Sequence, residues 1–151
     1  MADPTPQQRI EADLRTAMKA GEKERVGTLR MLLADLNNER IRRGGEVDEE
    51  AFLGLVQRGV KQRRESSEQF RAGNRPELAD REEREAAILG AYLPAAVSED
   101  EVRAAVRDLV AAEGLAGGKA MGRVMGALVP RFKGRIDGRE LQRIAREELG
   151  G

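Results

Sequence analysis

The sequence contains no cysteine and no histidine. These two absences exclude disulfide bonds, thiol nucleophiles, Cys/His zinc sites and histidine acid–base catalysis. Residues 1–20 include Glu11 and Asp13 and lack an apolar segment, which is unlike a signal peptide. No apolar run approaches the ~20 residues that a membrane-spanning helix needs. We therefore expect a cytoplasmic protein without a membrane partner.

Aromatic residues are also scarce, at 3% of the chain, whereas charged residues make up 36%. This composition is typical of a helical protein with modest cores and unlike a β-sandwich or barrel. Helix start signals recur, such as Thr5-Pro6 with Gln8 three residues after Thr5, and strand signals do not. The sequence predicts an all-α fold of seven helices.

A boundary between two groups of helices is indicated near residue 94. Pro94 closes the fourth helical pattern, and Ser98 with Glu101 forms the capping box of the fifth. We predict a four-helix N-terminal domain over residues 1–94 and a three-helix C-terminal domain over residues 95–151. The second domain has only ~50 residues, so its core is marginal by size.

The residues that remain give no catalytic constellation. Adjacent carboxylates such as Glu49-Glu50 point to different sides of a helix and are typical of solvated surfaces. The phosphate-binding loop motif of nucleotide hydrolases is absent. A serine–lysine nucleophile from Ser66 or Ser67 with Lys61 is formally possible, but polar residues on a helix surface explain the pattern better. We expect no catalytic residues, no metal and no cofactor.

Positive charge is concentrated near the C-terminus, where residues 119–151 carry eight basic and four acidic groups. Within this stretch Pro130 is expected to end the sixth helix, and three cations follow at alternate positions: Arg131, Lys133 and Arg135. Cations near the start of the last helix oppose its dipole, and an uncovered helix N-terminus binds anions. Solubility and phosphate binding are the two explanations.

Two glycines in the predicted sixth helix, Gly122 and Gly126, are four residues apart and share one face. Each costs about 0.5–1 kcal/mol of helix stability relative to alanine. This cost indicates close approach to the helix backbone. Either another helix or a nucleic-acid backbone would explain it.

A second basic cluster lies on the predicted third helix and consists of Arg58, Lys61 and Arg64. One interpretation is a contact with phosphate or an acidic partner. The other is a charged helix surface that Glu65 and Glu68 balance.

Four stretches resemble a known family: LRTAMKAGEKERVGTLRMLLADLNNERI, VKQRRESSEQFRAGNRPELADREEREAAIL, YLPAAVSEDEV and KAMGRVMGALVPRFKGRIDGRELQRIAREEL. Together they cover nearly the whole chain, and they are similar to the GatB/YqeY family, in particular its free-standing YqeY-like proteins. The resemblance implies two helical domains. It also implies that the C-terminal domain is similar to the tail of the B subunit of the glutamine-dependent tRNA amidotransferase.

In that enzyme the tail contacts tRNA and helps to select Glu-tRNA(Gln) or Asp-tRNA(Asn), while the chemistry resides in a separate core. Carried over to this chain, the resemblance places RNA contacts on Lys119, Arg123, Arg131, Lys133 and Arg135, and Gly122 and Gly126 would permit close approach. We expect a non-catalytic, tRNA-binding helical protein of the bacterial cytoplasm. The alternatives are a protein–protein adaptor, or an accessory part of an amidotransferase with carbon–nitrogen ligase activity, using glutamine as amido-N donor, only in complex.

Overall fold

The computed structural model describes residues 3–150, which form helices and turns and contain no strand. The predicted all-α fold is confirmed. The α-helices of this part of the chain are α1 Pro6–Ala20, α2 Lys23–Arg43, α3 Glu49–Ala72, α4 Pro76–Gly90, α5 Glu99–Glu113, α6 Ala120–Arg131 and α7 Gly138–Glu148. A short 3-10 helix, Gly117–Lys119, leads into α6. No helix in residues 3–150 is both long and apolar enough to cross a membrane.

Side-chain caps fix the start of four helices. The Thr5 hydroxyl accepts a hydrogen bond from the Gln8 backbone N–H, and the Gln8 side chain accepts one from the Thr5 N–H. Asp48, Ser98 and Asp137 cap α3, α5 and α7 in the same way, each accepting from a backbone N–H of the first turn. Caps of this kind satisfy donors that have no partner inside the helix. The helix starts predicted at Thr5 and Ser98 are therefore confirmed.

The end of α6 differs from the prediction, because the helix continues through Pro130 to Arg131. Proline lacks the N–H that would bond to the carbonyl four residues earlier. That carbonyl belongs to Gly126, an exposed residue whose oxygen can be solvated. The Phe132 N–H still donates to the Leu128 carbonyl at 2.9 Å, so the last turn closes despite the proline.

The end of α4 also differs, since the helix stops at Gly90 and does not reach Pro94. The Tyr92 and Leu93 N–H groups donate to carbonyls only three residues earlier, each at 3.0 Å. This tighter turn brings the Tyr92 ring to Phe52. Packing of one aromatic side chain therefore accompanies the early end of the helix.

The chain divides into two compact units between Leu93 and Pro94. The first unit contains α1 to α4, and the second contains α5 to α7. Each has its own apolar core of buried residues, built mainly from leucine, valine, isoleucine and alanine with one buried phenylalanine each. That residues 1–94 and 95–151 are independently folding domains stays a prediction.

In the first unit α3 packs against α4 at close range. A Cβ placed on Gly59 would lie 3.0 Å from Leu89 Cδ1, so only glycine allows this approach without a shift. Four residues further along α3, the buried Arg63 donates to the Gly59 carbonyl at 3.2 Å and lies 3.4 Å from the Glu85 carboxylate of α4. A partly buried ion pair thus joins the two helices beside the glycine.

A polar contact also closes the first unit at Tyr92. Its hydroxyl donates to Asp13 Oδ2 at 2.5 Å, and its ring meets the Phe52 ring edge to face with 5.9 Å between centroids. The Arg9 guanidinium lies over the other aromatic, 5.4 Å from the Phe52 centroid. Burial, followed by the hydrogen bond to Asp13 and the charge of that carboxylate, raises the pKa of the Tyr92 hydroxyl.

This shift predicts a specific alkaline titration. Tyr92 is the single tyrosine and tryptophan is absent, so the near-ultraviolet absorbance of tyrosinate reports this residue alone. An unfolded chain loses the proton near pH ~10. Because the folded pKa is raised, the stabilisation is complete below pH ~10 and is lost as the pH rises above it. We expect no tyrosinate absorbance from folded protein at pH ~10, while protein unfolded in urea titrates there.

The variant Asp13→Asn serves as the control, because it removes the hydrogen-bonded carboxylate and leaves the ring in place. Its tyrosine should ionise at lower pH than that of the parent. Ordinary titration of Tyr92 in folded parent protein would contradict the arrangement.

Candidate nucleic-acid interface

Burial of one side of α6 decides which of its residues face solvent. Val124 and Leu128 are in the core of the second unit, together with Ala120 at the start of the helix. A helix with 3.6 residues per turn then presents the opposite side outward. The residues on that side are all exposed, and we call them the α6 outer face: Lys119, Gly122, Arg123, Gly126 and Pro130.

The two glycines of the α6 outer face are not needed by the fold. A Cβ placed on Gly122 or Gly126 would have no atom within 4 Å. Within the described residues of the second unit, no other helix packs against these two glycines. The glycines leave the backbone of α6 uncovered at two consecutive turns.

Lys119 stands at the start of this surface. It is the last residue of the 3-10 helix, and no side chain caps the N-terminus of α6. Lys119 is exposed and makes no ion pair with any residue between 3 and 150. Its charge adds to the positive end of the α6 dipole, which favours anions.

Arg123 is the one cation of the α6 outer face with an acidic partner. Its Nε and NH2 atoms each lie 2.7 Å from an oxygen of the Glu113 carboxylate, at the end of α5. Hydrogen bonding from Arg123 holds the pKa of the Glu113 carboxyl below its usual range. A phosphate that binds Arg123 must therefore displace a bidentate carboxylate.

The turn after α6 is anchored by Phe132, which is buried. Arg131 lies with its guanidinium carbon 5.1 Å from the Phe132 centroid, and Lys133 is partly exposed. Neither cation forms an ion pair within the described residues. Gly134 is buried with a φ of 80°, a conformation that favours glycine. The turn thus places two unpaired cations beside the end of α6.

Arg135 has a structural role that sequence reasoning did not find. Its Nε donates to the Ala95 carbonyl at 3.0 Å, and its own carbonyl accepts from the Val97 N–H at 3.0 Å. Its guanidinium also lies 5.9 Å from the Phe132 centroid and 3.9 Å from a Glu101 oxygen. Arg135 therefore holds residues 95–97 against the turn and is less available to phosphate than Arg131 or Lys133.

The second basic cluster lies in the other unit. Arg58 and Arg64 are exposed on α3, and Lys61 is partly buried. The pKa of Glu39 on α2 is lowered, first by its hydrogen bond from Arg42 and further by the charge of Arg58. The most buried cation of this stretch is Arg63, which holds α3 to α4. Arg58 and Arg64 form no ion pair within residues 3–150, and a contact of this cluster with phosphate or an acidic partner stays a prediction.

Elsewhere in the second unit most arginines are neutralised by acidic neighbours. Arg103 contacts Glu99 and Glu147, each at 2.5 Å, and joins α5 to α7. Arg143 contacts Glu147 at 2.8 Å and also pairs with Glu140. The cations of this unit without an ion pair inside residues 94–150 are Lys119, Arg131, Lys133, Arg139 and Arg146. Three of these five lie at the ends of α6: Lys119 directly before it, Arg131 as its last residue and Lys133 in the turn after it.

The other site chemistries raised by the sequence are a metal site and a serine–lysine nucleophile. No three acidic side chains in residues 3–150 converge in a way that could hold a metal ion. Ser67, one half of the serine pair on α3, is buried in the first unit. The arrangement on α6 can instead contribute cationic groups and backbone access.

Comparison with known proteins fits this helical architecture. A family model described as Yqey-like protein matches residues 7–149. The chain belongs to the Yqey-like family. The resemblance found in the sequence is thereby confirmed over almost the whole chain.

Curated relatives of this Yqey-like protein carry one name, "Altered inheritance of mitochondria protein 41, mitochondrial". The relative from Pyrenophora tritici-repentis is 31% identical over 147 residues, which cover 94% of this chain and 80% of the relative. The relative from Lachancea thermotolerans is 38% identical over 105 residues, covering 67% of this chain and 56% of the relative. The relative from Vanderwaltozyma polyspora is 29% identical over 85 residues, which cover 56% of this chain and 46% of the relative.

These names overturn the cytoplasmic location expected from the sequence, because all three relatives are named as mitochondrial proteins. The expectation was wrong for a physical reason. It rested on the lack of cysteine, of a signal peptide and of an apolar span, and these absences do not distinguish one aqueous compartment from another.

Proposed function

We propose that this Yqey-like protein binds folded RNA, with tRNA as the ligand, through the α6 outer face and the turn that follows it. One observation carries the proposal. Unpaired cations at both ends of α6 occur together with uncovered glycine backbone between them, in a unit whose other arginines mostly have acidic partners. The family resemblance to the tRNA-contacting tail of the amidotransferase B subunit supports the same ligand.

The dimensions of this surface suit a phosphate strand. Lys119 and Arg131 are twelve residues apart, which is ~18 Å along a helix. In duplex nucleic acid one strand carries a phosphate about every 3.4 Å of axis, so about five phosphates lie within that length. At Gly122 and Gly126 a strand can approach the α6 backbone without meeting a Cβ atom.

Folded RNA fits this surface better than single-stranded RNA. Single strands are commonly held by bases stacked on aromatic side chains. Phe132 is the one aromatic residue of the second unit, and it is buried. The surface therefore offers contacts to phosphate and ribose and no stacking platform, as expected for recognition by shape.

The first prediction for this function concerns salt dependence. The triple variant Lys119→Gln, Arg131→Gln, Lys133→Gln removes up to three phosphate contacts and keeps Arg135, which supports the fold. Each contact contributes a slope near −0.9 to log K against log salt for a duplex. The slope should become shallower by roughly two to three, with weaker binding at low salt. Fluorescence anisotropy of labelled tRNA, bacterial and mitochondrial, measures this across a potassium chloride series.

A matched control separates the effect of the site on tRNA binding from the effect of net charge. The variant Arg15→Gln, Lys19→Gln, Lys23→Gln removes three exposed cations of the first unit that form no ion pair within residues 3–150. It should keep the slope of the parent. If both variants lost the same amount of tRNA affinity and slope, general charge attraction would explain the binding and a specific site would not. Failure of the parent to bind above background would contradict RNA binding and favour the protein–protein adaptor.

The second prediction concerns Glu113, which competes with phosphate for Arg123. Replacing Glu113 by Gln at neutral pH removes a negative charge and leaves the guanidinium free for a phosphate. Affinity for tRNA should rise, and the slope against log salt should steepen by up to about one contact. The same anisotropy titration measures both quantities.

The double variant Glu113→Gln, Arg123→Gln controls for the loss of negative charge alone. It should lose most of the gain, because the released group is Arg123. A gain of equal size in the single and double variants would contradict a role for Arg123 in binding.

A further inference from the structure

Helix α2 has an exposed seam that the fold of the first unit leaves uncovered. Its buried residues, among them Leu29, Leu32 and Leu36, face the core. The opposite side is exposed and includes two large apolar side chains, Met31 at 55% and Ile41 at 75%. We call this side the α2 seam, and its residues are Gly27, Met31, Ala34, Asn38 and Ile41.

The spacing of the α2 seam is that of a coiled coil. Its positions advance by four, three, four and three residues, which is the alternation of a and d positions in a heptad repeat. Met31 and Asn38 then occupy a positions, and Gly27, Ala34 and Ile41 occupy d positions. Any single face of a helix has this spacing, and what distinguishes the α2 seam is that it carries two large, exposed apolar side chains, Met31 and Ile41.

We propose that the α2 seam pairs with the same seam of a second copy of this chain, with the two α2 helices parallel. Charge complementarity favours a second copy of this chain as the partner and a parallel arrangement of the two helices. Arg30 and Asp35 flank the seam at g and e positions, five residues apart, and both are exposed without an ion pair in the described part of the chain. In a parallel pair each Arg30 faces Asp35 of the second copy, on both sides of the seam.

The antiparallel alternative is disfavoured by the same charges. When two seams overlap fully in opposite directions, Asp35 of one copy lies beside Asp35 of the other. Like charges at this distance destabilise the contact. The parallel arrangement also sets Asn38 against Asn38, the kind of polar a-position pair that fixes register and limits assembly to two chains.

The small residues at two d positions, Gly27 and Ala34, allow the two α2 helices to approach each other closely. A Cβ on Gly27 would have no atom within 4 Å, so the fold of one copy does not require glycine there. The seam is ~21 Å long, or about two heptads. A coiled coil of otherwise unfolded chains needs three to four heptads. Helix α2 is already folded within the first unit, so pairing of two copies does not have to form the helix first. We expect a dimer that dissociates in the micromolar range.

Cysteine crosslinking tests the arrangement directly, because the parent chain has no cysteine. In the parallel pair Asn38→Cys brings two thiols together, and mild oxidation should convert most of the protein to a disulfide-linked dimer at micromolar concentration. The control Ala12→Cys places an exposed thiol on α1 and should remain monomeric. A mixed disulfide between Gly27→Cys and Ile41→Cys, in place of the Asn38→Cys disulfide, would show an antiparallel pair and overturn the proposal.

Charge reversal gives an independent test in the reduced, cysteine-free protein. Sedimentation equilibrium should show the parent dimerising and Arg30→Asp remaining monomeric, since the carboxylate introduced by this substitution would repel Asp35 of the second copy. The double variant Arg30→Asp, Asp35→Arg should recover the dimer. A parent that stays monomeric up to millimolar concentration, or a double variant without recovery, would overturn the proposal. The residues tested are all in the first unit, so the outcome is independent of RNA binding by α6.

Discussion

Burial of Val124 and Leu128 is the constraint on which the candidate site depends. These side chains fix the rotation of α6 about its axis, because they must lie in the small core of the second unit. Once that rotation is fixed, Lys119, Gly122 and Gly126 have to face solvent. A rotation by two residues, about 200°, would turn Gly122 and Gly126 into the core and Val124 and Leu128 outward, and the surface with its cations would no longer exist.

Ion pairing shapes what remains of the charged surface. With 27 basic and 27 acidic residues in the chain, most arginines can find an acidic neighbour, as Arg103 and Arg143 do between α5 and α7. Such exposed pairs contribute little to stability, typically below about 1 kcal/mol each. Their main consequence here is electrostatic. They give Arg103, Arg107 and Arg143 of α5 and α7 acidic partners, whereas Lys119, Arg131 and Lys133 beside α6, like Arg139 and Arg146 of α7, have none within residues 94–150.

Local signals made the helices predictable. Thr5, Asp48 and Ser98 each act on a backbone N–H within three residues, so their effect can be derived from the sequence alone. The sequence predicts that α6 ends at Pro130, whereas the helix continues because the missing hydrogen bond falls on the solvated carbonyl of Gly126. That solvation depends on the tertiary packing of α6. The early end of α4 also depends on a distant partner, since Tyr92 turns toward Phe52.

The sequence predicts which residues form the candidate site, but it does not predict which groups those residues contact. Sequence reasoning selected the cations of α6 and its turn, but it could not find Glu113 as the partner of Arg123, or Ala95 as the acceptor for Arg135. Both contacts join different elements, and the second spans forty residues. The exposed glycines were ambiguous for the same reason, because only the packed structure decides whether another helix covers them.

The glycines provide the most direct measurement of the central claim, which is that α6 keeps its backbone open for RNA. The double variant Gly122→Ala, Gly126→Ala adds two methyl groups to open space and should stabilise the helix by about 0.5–1 kcal/mol at each position. Thermal unfolding followed by circular dichroism and tRNA anisotropy should be measured on the same samples. The account predicts a higher melting temperature together with weaker tRNA binding. A higher melting temperature with unchanged tRNA affinity would contradict it.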